Sequence, residues 1–269
     1  MEVYIEIMYR MYFFLFTSCF INCLGFSQDA PEQWETYFTD FYGEVGAVTV
    51  DLSYQNETQV QSHPVSIKMV VQLLETRENG MPTEKEFDLI YDIEDEVLLF
   101  SKQALLEVGA IVTAGNHETY FYGSSALGLD SVIGVIRSRH PDRRIELLEA
   151  EDPEWNTYWF VLFPPDLELL KMNNAKQLAY LLEREEYSGE LMFKFILRFK
   201  SLKMRKKFYN AIKDEEFELI EERIDNEALP YVLVLGRKEA LILESINETT
   251  TYLFLSALNF KGAFDSWKP

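Results

Sequence analysis

The fold of the first half of the chain is decided by residues 107–122, EVGAIVTAGNHETYFY. Two runs rich in β-branched and aromatic residues, Glu107–Thr113 and Thr119–Tyr122, stand on either side of Ala114-Gly115-Asn116-His117. Such runs favour strands, and the small and polar residues between them favour a turn, so this segment predicts a β-hairpin. Earlier in the chain, the apolar alternation of Val65–Leu74 predicts another strand.

Two helices are predicted between these strands. One begins at Pro82-Thr83-Glu84, because proline and threonine ahead of helically spaced apolar residues are typical of a helix N-terminus. The other extends from about Leu129 to Arg139 and ends before His140-Pro141, since the residue before a proline disfavours helix. A strand at Arg144–Ala150 follows. The resulting order, β-α-β-β-α-β, is typical of a ferredoxin-like sandwich.

Further strands are predicted ahead of this unit. Trp34–Phe41 and Val45–Leu52 alternate in hydrophobicity around Tyr42-Gly43. We therefore expect an additional N-terminal β-hairpin that extends the first sheet.

The second half repeats the same order after a leading helix that Asp166 caps and that continues to about Glu186. Its elements are predicted at Leu191–Phe199 (strand), Ser201–Lys213 (helix), Phe217–Ile224 (strand), Tyr231–Leu235 (strand), Leu241–Asn259 (helix) and Ala263–Trp267 (strand). We predict an α+β protein of two tandem ferredoxin-like (βαββαβ) sandwiches. The predicted boundaries are a signal peptide at residues 1–27, a first domain at 28–164 and a second at 165–269, divided at Pro164-Pro165.

The N-terminus predicts export. An apolar run from Met11 to Phe26 is shorter than the ~20 residues that span a bilayer, and Gly25 and Ser27 precede a cleavage position before Gln28. A chain cut there is predicted to be periplasmic or secreted, without a transmembrane span. Two alternatives stay open: a lipid anchor on Cys19, or a cytoplasmic protein whose N-terminus is not cleaved.

Charge is distributed unevenly along the chain. The formal net charge is −20; residues 29–163 carry 25 acidic and 8 basic residues (8 − 25 = −17), and residues 164–269 carry 18 and 16 (16 − 18 = −2). A surface this negative repels nucleic-acid backbones, so we do not predict a nucleic-acid partner.

Three stretches of the first half, WETYFTD (34–40), GMPTEKEF (80–87) and EDPEW (151–155), resemble a bacterial domain family of unknown function. In that family the domain is often fused to one that resembles the regulator of ribonuclease E activity B, and the ending GAFDSW (262–267) is similar to the ending of that second family. The resemblance implies a non-enzymatic role through protein–protein interaction. Because the ribonuclease is cytoplasmic, ribonuclease regulation is an alternative only if the N-terminus is not cleaved.

No catalytic, metal or cofactor site is predicted. The three histidines, His63, His117 and His140, lie in no nucleophile motif, and His117 falls in the predicted turn. The carboxylate runs are interpreted as helix and strand surfaces: Asp92/Glu94/Asp95/Glu96 and Glu215/Glu216/Glu218. We therefore predict that the protein is not an enzyme. The alternative is an exported small-ligand-binding protein or hydrolase with a carboxylate site at the domain junction.

Two sets of residues are candidate binding surfaces for a protein partner of unknown identity. The first set consists of aromatic residues close to the predicted domain junction: Trp34, Tyr120, Tyr122, Trp155 and Trp159. The second consists of lysines, together with Lys200 and Arg205, at the start of a predicted helix: Lys203, Lys206 and Lys207. The alternatives are a hydrophobic core for the aromatics and the solvated face of an amphipathic helix for the lysines.

Overall fold

The computed structural model describes residues 32–41, 43–56, 62–101, 104–126, 128–184 and 189–269. The predicted signal peptide and Cys19 lie outside these ranges. Gln33–Pro269 form one compact unit, which contains a six-stranded and a four-stranded sheet, both antiparallel. Helices alternate with the strands of both sheets, so the predicted α+β class is confirmed.

In the first half, the described elements are β1 (Trp34–Phe41), β2 (Glu44–Asp51), a 3-10 helix (Leu52–Asn56), β3 (Val65–Gln72), α1 (Glu84–Phe100), β4 (Leu105–Thr113), β5 (Asn116–Gly123), α2 (Leu129–Arg139), β6 (Ile145–Glu151) and a π-helical turn (Tyr158–Leu162). In the second half they are α3 (Asp166–Leu182), β7 (Glu190–Phe199), α4 (Leu202–Ile212), β8 (Glu218–Ile224), β9 (Tyr231–Ala240), α5 (Leu243–Leu258) and β10 (Gly262–Lys268).

Strand order confirms the predicted topology. The six-stranded sheet has the order β1-β2-β4-β5-β3-β6, and the four-stranded sheet has the order β10-β7-β9-β8. Within the first sheet, β4-β5-β3-β6 corresponds strand for strand to β8-β9-β7-β10, which is the order of a ferredoxin-like sandwich. The predicted N-terminal hairpin, β1 and β2, extends the first sheet by pairing β2 with β4.

Side-chain caps fix two of the helix starts as predicted. Thr83 accepts a hydrogen bond from the Glu86 N–H at the start of α1 (3.4 Å), and Ser201 accepts one from Met204 at the start of α4 (3.3 Å). The prediction for α3 was wrong at both ends. Pro165 takes the capping position, so Asp166 is the first helical residue, and α3 ends at Leu182 rather than near Glu186. Proline is tolerated immediately before a helix because N–H groups at the start of a helix have no partner within it. The lack of an N–H in proline therefore costs no hydrogen bond.

The central hairpin has a tighter turn than predicted. Ala114 (φ 49°) and Gly115 (φ 71°) both adopt the left-handed backbone conformation of a two-residue hairpin turn. Asn116 and His117 consequently belong to strand β5 and not to the turn. This correction places His117 in the interior of the fold.

The six-stranded sheet buries apolar residues on both faces. Helices α1 and α2 cover one face through Ile90, Ile93 and Ile133, among others. The opposite face forms a separate core with the π-helical turn, which includes Tyr122 and Leu162. A simple ferredoxin-like sandwich covers only one face of its sheet, so this second core is an addition to the predicted fold.

Gly109 permits the close packing of this second core. A Cβ atom at this position would lie 2.6 Å from the Thr49 carbonyl oxygen and 3.3 Å from Leu162 Cδ1. Any side chain would therefore push β2 away from β4, and Leu162 of the π-helical turn would also have to shift slightly.

Helix α3 packs against both halves. Its Leu169 and Met172 pack against the second core of the six-stranded sheet, and Leu178 and Leu181 belong to the core of the four-stranded sheet. Pro164-Pro165, the predicted boundary, lies immediately before this helix. In the described part of the chain, no helix has both the length and the apolar character that a bilayer crossing requires.

Candidate functional site

Asp152, in the EDPEW stretch, organises the segment that covers the second face of the six-stranded sheet. Its Oδ1 accepts hydrogen bonds from the backbone N–H (2.7 Å) and side-chain amide (3.0 Å) of Asn156. Its Oδ2 accepts from the Tyr122 hydroxyl (2.6 Å) and the Thr157 N–H (2.8 Å). Burial opposes ionisation, but these hydrogen bonds outweigh it, so the pKa of Asp152 is lowered. A carboxylate used in this way holds a backbone turn in place.

Trp155 extends the same structural unit. Its backbone is left-handed (φ 54°), and its indole stacks on the Tyr122 ring with centroids 4.1 Å apart. The indole N–H donates to the carbonyl oxygen of His63 at 2.9 Å. The side chain is almost completely buried, so this tryptophan contributes to packing.

The residues of the predicted aromatic surface differ in their burial. Tyr120, Tyr122 and Trp155 are buried, whereas Trp34 and Trp159 are half-buried. The alternative interpretation as core therefore describes these three side chains, although Tyr120 also lines a pocket. Trp34 and Trp159 present a larger part of their surface.

A pocket of about 380 Å³ lies on the second face of the six-stranded sheet, beyond the Asp152 turn. Antiparallel pairing of Ile111 with Glu118 places β4 and β5 side by side at the pocket. The hairpin β1–β2 and the π-helical turn supply the remaining walls. The lining residues are Phe41, Glu44, Ile111, Thr113, Ala114, Glu118, Tyr120 and Val161.

Carboxylates and an ammonium group determine the charge at the pocket. The Tyr120 hydroxyl donates to Glu118 Oε2 (2.6 Å), and Lys68 Nζ lies 3.3 Å from the same oxygen. Burial and the Glu118 carboxylate raise the pKa of Tyr120, which keeps its hydroxyl protonated as a donor. Glu44 is exposed, and the buried Thr113 Oγ1 has no hydrogen-bond partner.

Gly46 shapes one wall of the pocket. A Cβ atom there would lie 2.6 Å from the Phe41 ring and 2.9 Å from the Val112 carbonyl oxygen. The absence of a side chain at Gly46 therefore lets the Phe41 ring lie against β2, where it lines the pocket.

Exposed apolar side chains stand next to the pocket. Val161, a lining residue, is 41% exposed, and its neighbour Phe160 is 83% exposed. Isolated apolar residues are common on surfaces, but two successive apolar side chains this exposed, one of them lining a cavity, are typical of a contact surface.

A second group of polar side chains is buried between α1 and β5. Glu94 is 5% and His117 4% exposed, and His117 Nδ1 lies 3.7 Å from Glu94 Oε1. The Thr119 hydroxyl donates to the same Glu94 oxygen at 2.5 Å. Burial and the neighbouring charge of Glu107 raise the pKa of Glu94 to about 8, whereas burial lowers the pKa of His117 to about 4. Both shifts favour the uncharged forms, a protonated Glu94 and a neutral His117.

Sequence reasoning missed this group. Glu94 was assigned to a surface carboxylate run and His117 to a turn, and both assignments are wrong. The signal was present in the periodicity: Glu94 follows Ile90 and precedes Val97 at helical spacing, and His117 alternates with Thr119 and Phe121.

The GMPTEKEF stretch also supplies a structural ion pair. Arg143 Nη1 lies 2.9 Å from Glu86 Oε2 and Nη2 lies 3.2 Å from Oε1, with both side chains buried. Burial opposes ionisation of Glu86, but the hydrogen bonds from Arg143 and the Leu74 N–H lower its pKa. This pair connects α1 to the loop before β6 and stabilises the fold.

One serine–histidine contact occurs in the described chain. Ser62 Oγ lies 2.8 Å from His63 Nδ1, in an exposed position beside residues 57–61, which are outside the described ranges. Activation of a serine benefits from a base and donors arranged in a water-excluding site, and this exposed contact between neighbours does not provide such a site. Within the described ranges, no three or more His, Cys, Asp or Glu side chains come together as a metal ion would require.

The predicted basic surface is present on α4. Lys203, Lys206 and Lys207 are exposed. Arg205 differs from them because it is buried, donates to the Val232 carbonyl oxygen (3.0 Å) and pairs with Glu222 (3.0 Å). The lysines thus occupy the solvated face of an amphipathic helix, and the arginine supports the sheet beneath.

Comparison with known families agrees with the resemblance seen in the first half. No curated protein matches the chain. The predicted similarity of the second half to the regulator of ribonuclease E activity B is untested by these comparisons and stays a prediction. Residues 32–163 match the model of a family described as a family of unknown function, DUF695.

Proposed function

We propose that the chain is a non-catalytic binding protein that acts through protein–protein interaction, with the pocket on the six-stranded sheet as its contact point. The observation that carries this proposal is a cavity of about 380 Å³ that is lined by the exposed residue Val161, whose chain neighbour Phe160 is also exposed. Pockets of this size bind ligand groups in many proteins, and exposed aromatic side chains are enriched at interfaces.

The buried carboxylates support binding over catalysis. Asp152 and Glu86 are engaged by hydrogen bonds and an ion pair within the fold. Glu94 and His117 are almost completely buried, whereas a catalytic acid or base must reach its substrate. A hydrolase with a carboxylate site at the domain junction is accordingly the weaker alternative.

The similarity of residues 262–267 to the regulator of ribonuclease E activity B also supports an interaction role, since members of that family act by binding an enzyme. Export is part of the proposal, and ribonuclease regulation is the alternative if the leader is retained. The intact mass of the protein from fractionated cells distinguishes the two. Loss of residues 1–27 supports export, and a full-length cytosolic chain supports the ribonuclease alternative.

Site-specific photo-crosslinking tests the contact point. A benzophenone amino acid at Phe160 is expected to crosslink the full-length protein to one discrete partner in cells, while the same group at the exposed residue Tyr180 on α3 is not. The pocket-filling variant Thr113→Trp should abolish the crosslink from position 160. Equal crosslinking from both positions, or a crosslink that Thr113→Trp leaves intact, would contradict the proposal.

A further inference from the structure

We infer that the pocket is selective for a cation and receives the ammonium group of a lysine side chain on the partner protein. This inference rests on the proposed function and specifies the chemistry of the same pocket. It follows from the walls of the cavity, from an ammonium group already present in the protein, and from the charge of the surrounding surface.

The walls combine aromatic rings with carboxylates. Phe41 and Tyr120 supply the rings, and Glu44 and Glu118 supply the carboxylates. An ammonium group within about 6 Å of an aromatic ring centroid is attracted by the electron-rich face of the ring. A carboxylate at the same site adds direct charge attraction, so the pocket is better suited to a cation than to a neutral or anionic group.

The protein itself contains an example of this recognition. Lys68 Nζ lies 5.8 Å from the centroid of the Tyr120 ring and 3.3 Å from Glu118 Oε2. Glu44, Glu118 and Lys68 together leave one negative charge at the pocket (−1 − 1 + 1 = −1). The internal lysine therefore leaves one carboxylate charge at the pocket uncompensated.

The acceptor oxygens that line the pocket also suit the ammonium group of a lysine. An ammonium group donates three hydrogen bonds. The carboxylates of Glu44 and Glu118 supply four acceptor oxygens at the pocket, of which Glu118 Oε2 already accepts from Tyr120 and Lys68. The apolar walls, Ile111 and Val161, suit the aliphatic part of a lysine side chain, which packs on apolar surface while its charge meets polar groups.

The negative charge of the first half as a whole favours a basic partner. Residues 29–163 carry a net charge of −17 (8 − 25), and such a surface attracts cationic segments and repels anionic ones at long range. The partner is therefore expected to present its lysine within a basic segment.

Two matched peptides test the inference. Acetyl-Ala-Lys-Ala-amide and acetyl-Ala-norleucine-Ala-amide differ in the terminal ammonium group, and both can be titrated into the isotopically labelled full-length protein by NMR. The lysine peptide is expected to shift the amide signals of Glu118, Tyr120 and Val161 and to bind at least ~5-fold more tightly than the norleucine peptide. Glu118→Gln should reduce the affinity for the lysine peptide by ~3-fold or more and leave the norleucine peptide unchanged.

The possible outcomes separate the inference from the proposed function. Equal affinity for both peptides, or preference for norleucine, would overturn cation selection and leave the pocket as a contact point. Binding of neither peptide would contradict both. Self-association in sedimentation that is lost on joint replacement of Lys203, Lys206 and Lys207 by alanine would make a second copy the occupant, and would overturn the assignment of a different protein as partner.

Discussion

The two sheets share one strand order but differ in how they are covered. In β7 of the four-stranded sheet, buried residues alternate with half-buried ones, the pattern of a sheet packed on one face. In β3, the corresponding strand of the six-stranded sheet, Met69, Val70 and Val71 are buried in succession, so both faces are packed there. The neighbouring strands β5 and β9 are alike, since each has five successive buried residues. The second face is therefore packed at the centre of both sheets, and the six-stranded sheet differs in carrying a separate core across more of that face.

The additional elements of the first half account for this difference. The hairpin β1–β2 widens the sheet, and the π-helical turn covers the second face of β4 and β5 through Tyr158 and Leu162. The pocket lies where this cover meets the end of the hairpin. The second core and the candidate contact site thus have the same structural origin.

The largest expected effect comes from Asp152→Ala, which removes the acceptor that holds this cover. The hydroxyl of Tyr122 and the N–H of Thr157 would lose their buried partner, and we expect the free energy of unfolding to fall by ~3 kcal/mol or more. Urea denaturation measures this change. The matched control is Asp225→Ala, directly after β8 of the four-stranded sheet. Its carboxylate is partly exposed, so the substitution should cost less than ~1 kcal/mol.

The lowered pKa of Asp152 predicts that acid reduces the stability of the fold. Because folding lowers the pKa of Asp152, its contribution to stability is present above the ordinary value of 3.8 and is lost as the pH falls below that value. Asp152→Ala should therefore show a weaker loss of stability on acidification than the unmodified protein. Parallel pH profiles would contradict the role assigned to this carboxylate.

Truncation of one side chain on each sheet compares the two faces directly. Leu162→Ala removes a completely buried side chain from the cover of the six-stranded sheet and should cost ~2–5 kcal/mol. Ile196→Ala on the half-buried face of β7 should cost ~1 kcal/mol, since part of its surface already contacts water. Similar losses in thermal or urea unfolding would show that both sheets are covered alike.

The buried pair of Glu94 and His117 predicts an alkaline loss of stability. Between about pH 4.5 and 6.5 the pair holds one proton whether the chain is folded or unfolded. Above pH 6.5 the unfolded chain loses its proton, while Glu94 in the folded chain keeps its proton until about pH 8. The free energy of unfolding should therefore fall by ~2 kcal/mol across this interval.

The variant Glu94→Gln tests this prediction. Glutamine keeps an oxygen that can accept from Thr119 but does not ionise, so the loss of stability between pH 6.5 and 8 should disappear. Asp92→Asn, on the exposed face of the same helix, is the control and should keep the profile of the unmodified protein. An unchanged profile for Glu94→Gln would show that Glu94 is already ionised in the folded chain at neutral pH.

The smallest effect is expected on helix α4. Lys206→Ala should change the free energy of unfolding by no more than ~0.5 kcal/mol, because the side chain is exposed. Arg205→Ala, one residue earlier, should cost ~2 kcal/mol or more because it leaves the Val232 carbonyl oxygen and Glu222 without their buried partner. If both substitutions changed the free energy of unfolding equally in denaturant, the distinction between an exposed Lys206 and a structurally important Arg205 would be wrong.

The sequence allowed the elements and their order to be predicted because these depend on local signals. Thr83 and Ser201 marked helix starts, and apolar alternation marked β3 and β7. The second core could not be predicted in the same way, since it requires Tyr122 and Trp155 to meet across 33 residues (155 − 122 = 33). The pocket was missed for the same reason.

Site-directed thiol labelling tests the central claim most directly, namely that binding uses the pocket of the six-stranded sheet and not the half-buried face of the four-stranded sheet. Single cysteines at Val161 and Ile196 can be introduced into the full-length protein after Cys19 and Cys23 are replaced by serine. A saturating concentration of acetyl-Ala-Lys-Ala-amide is predicted to slow alkylation at position 161 and to leave position 196 unchanged. Protection at position 196, or at neither position, would contradict the account.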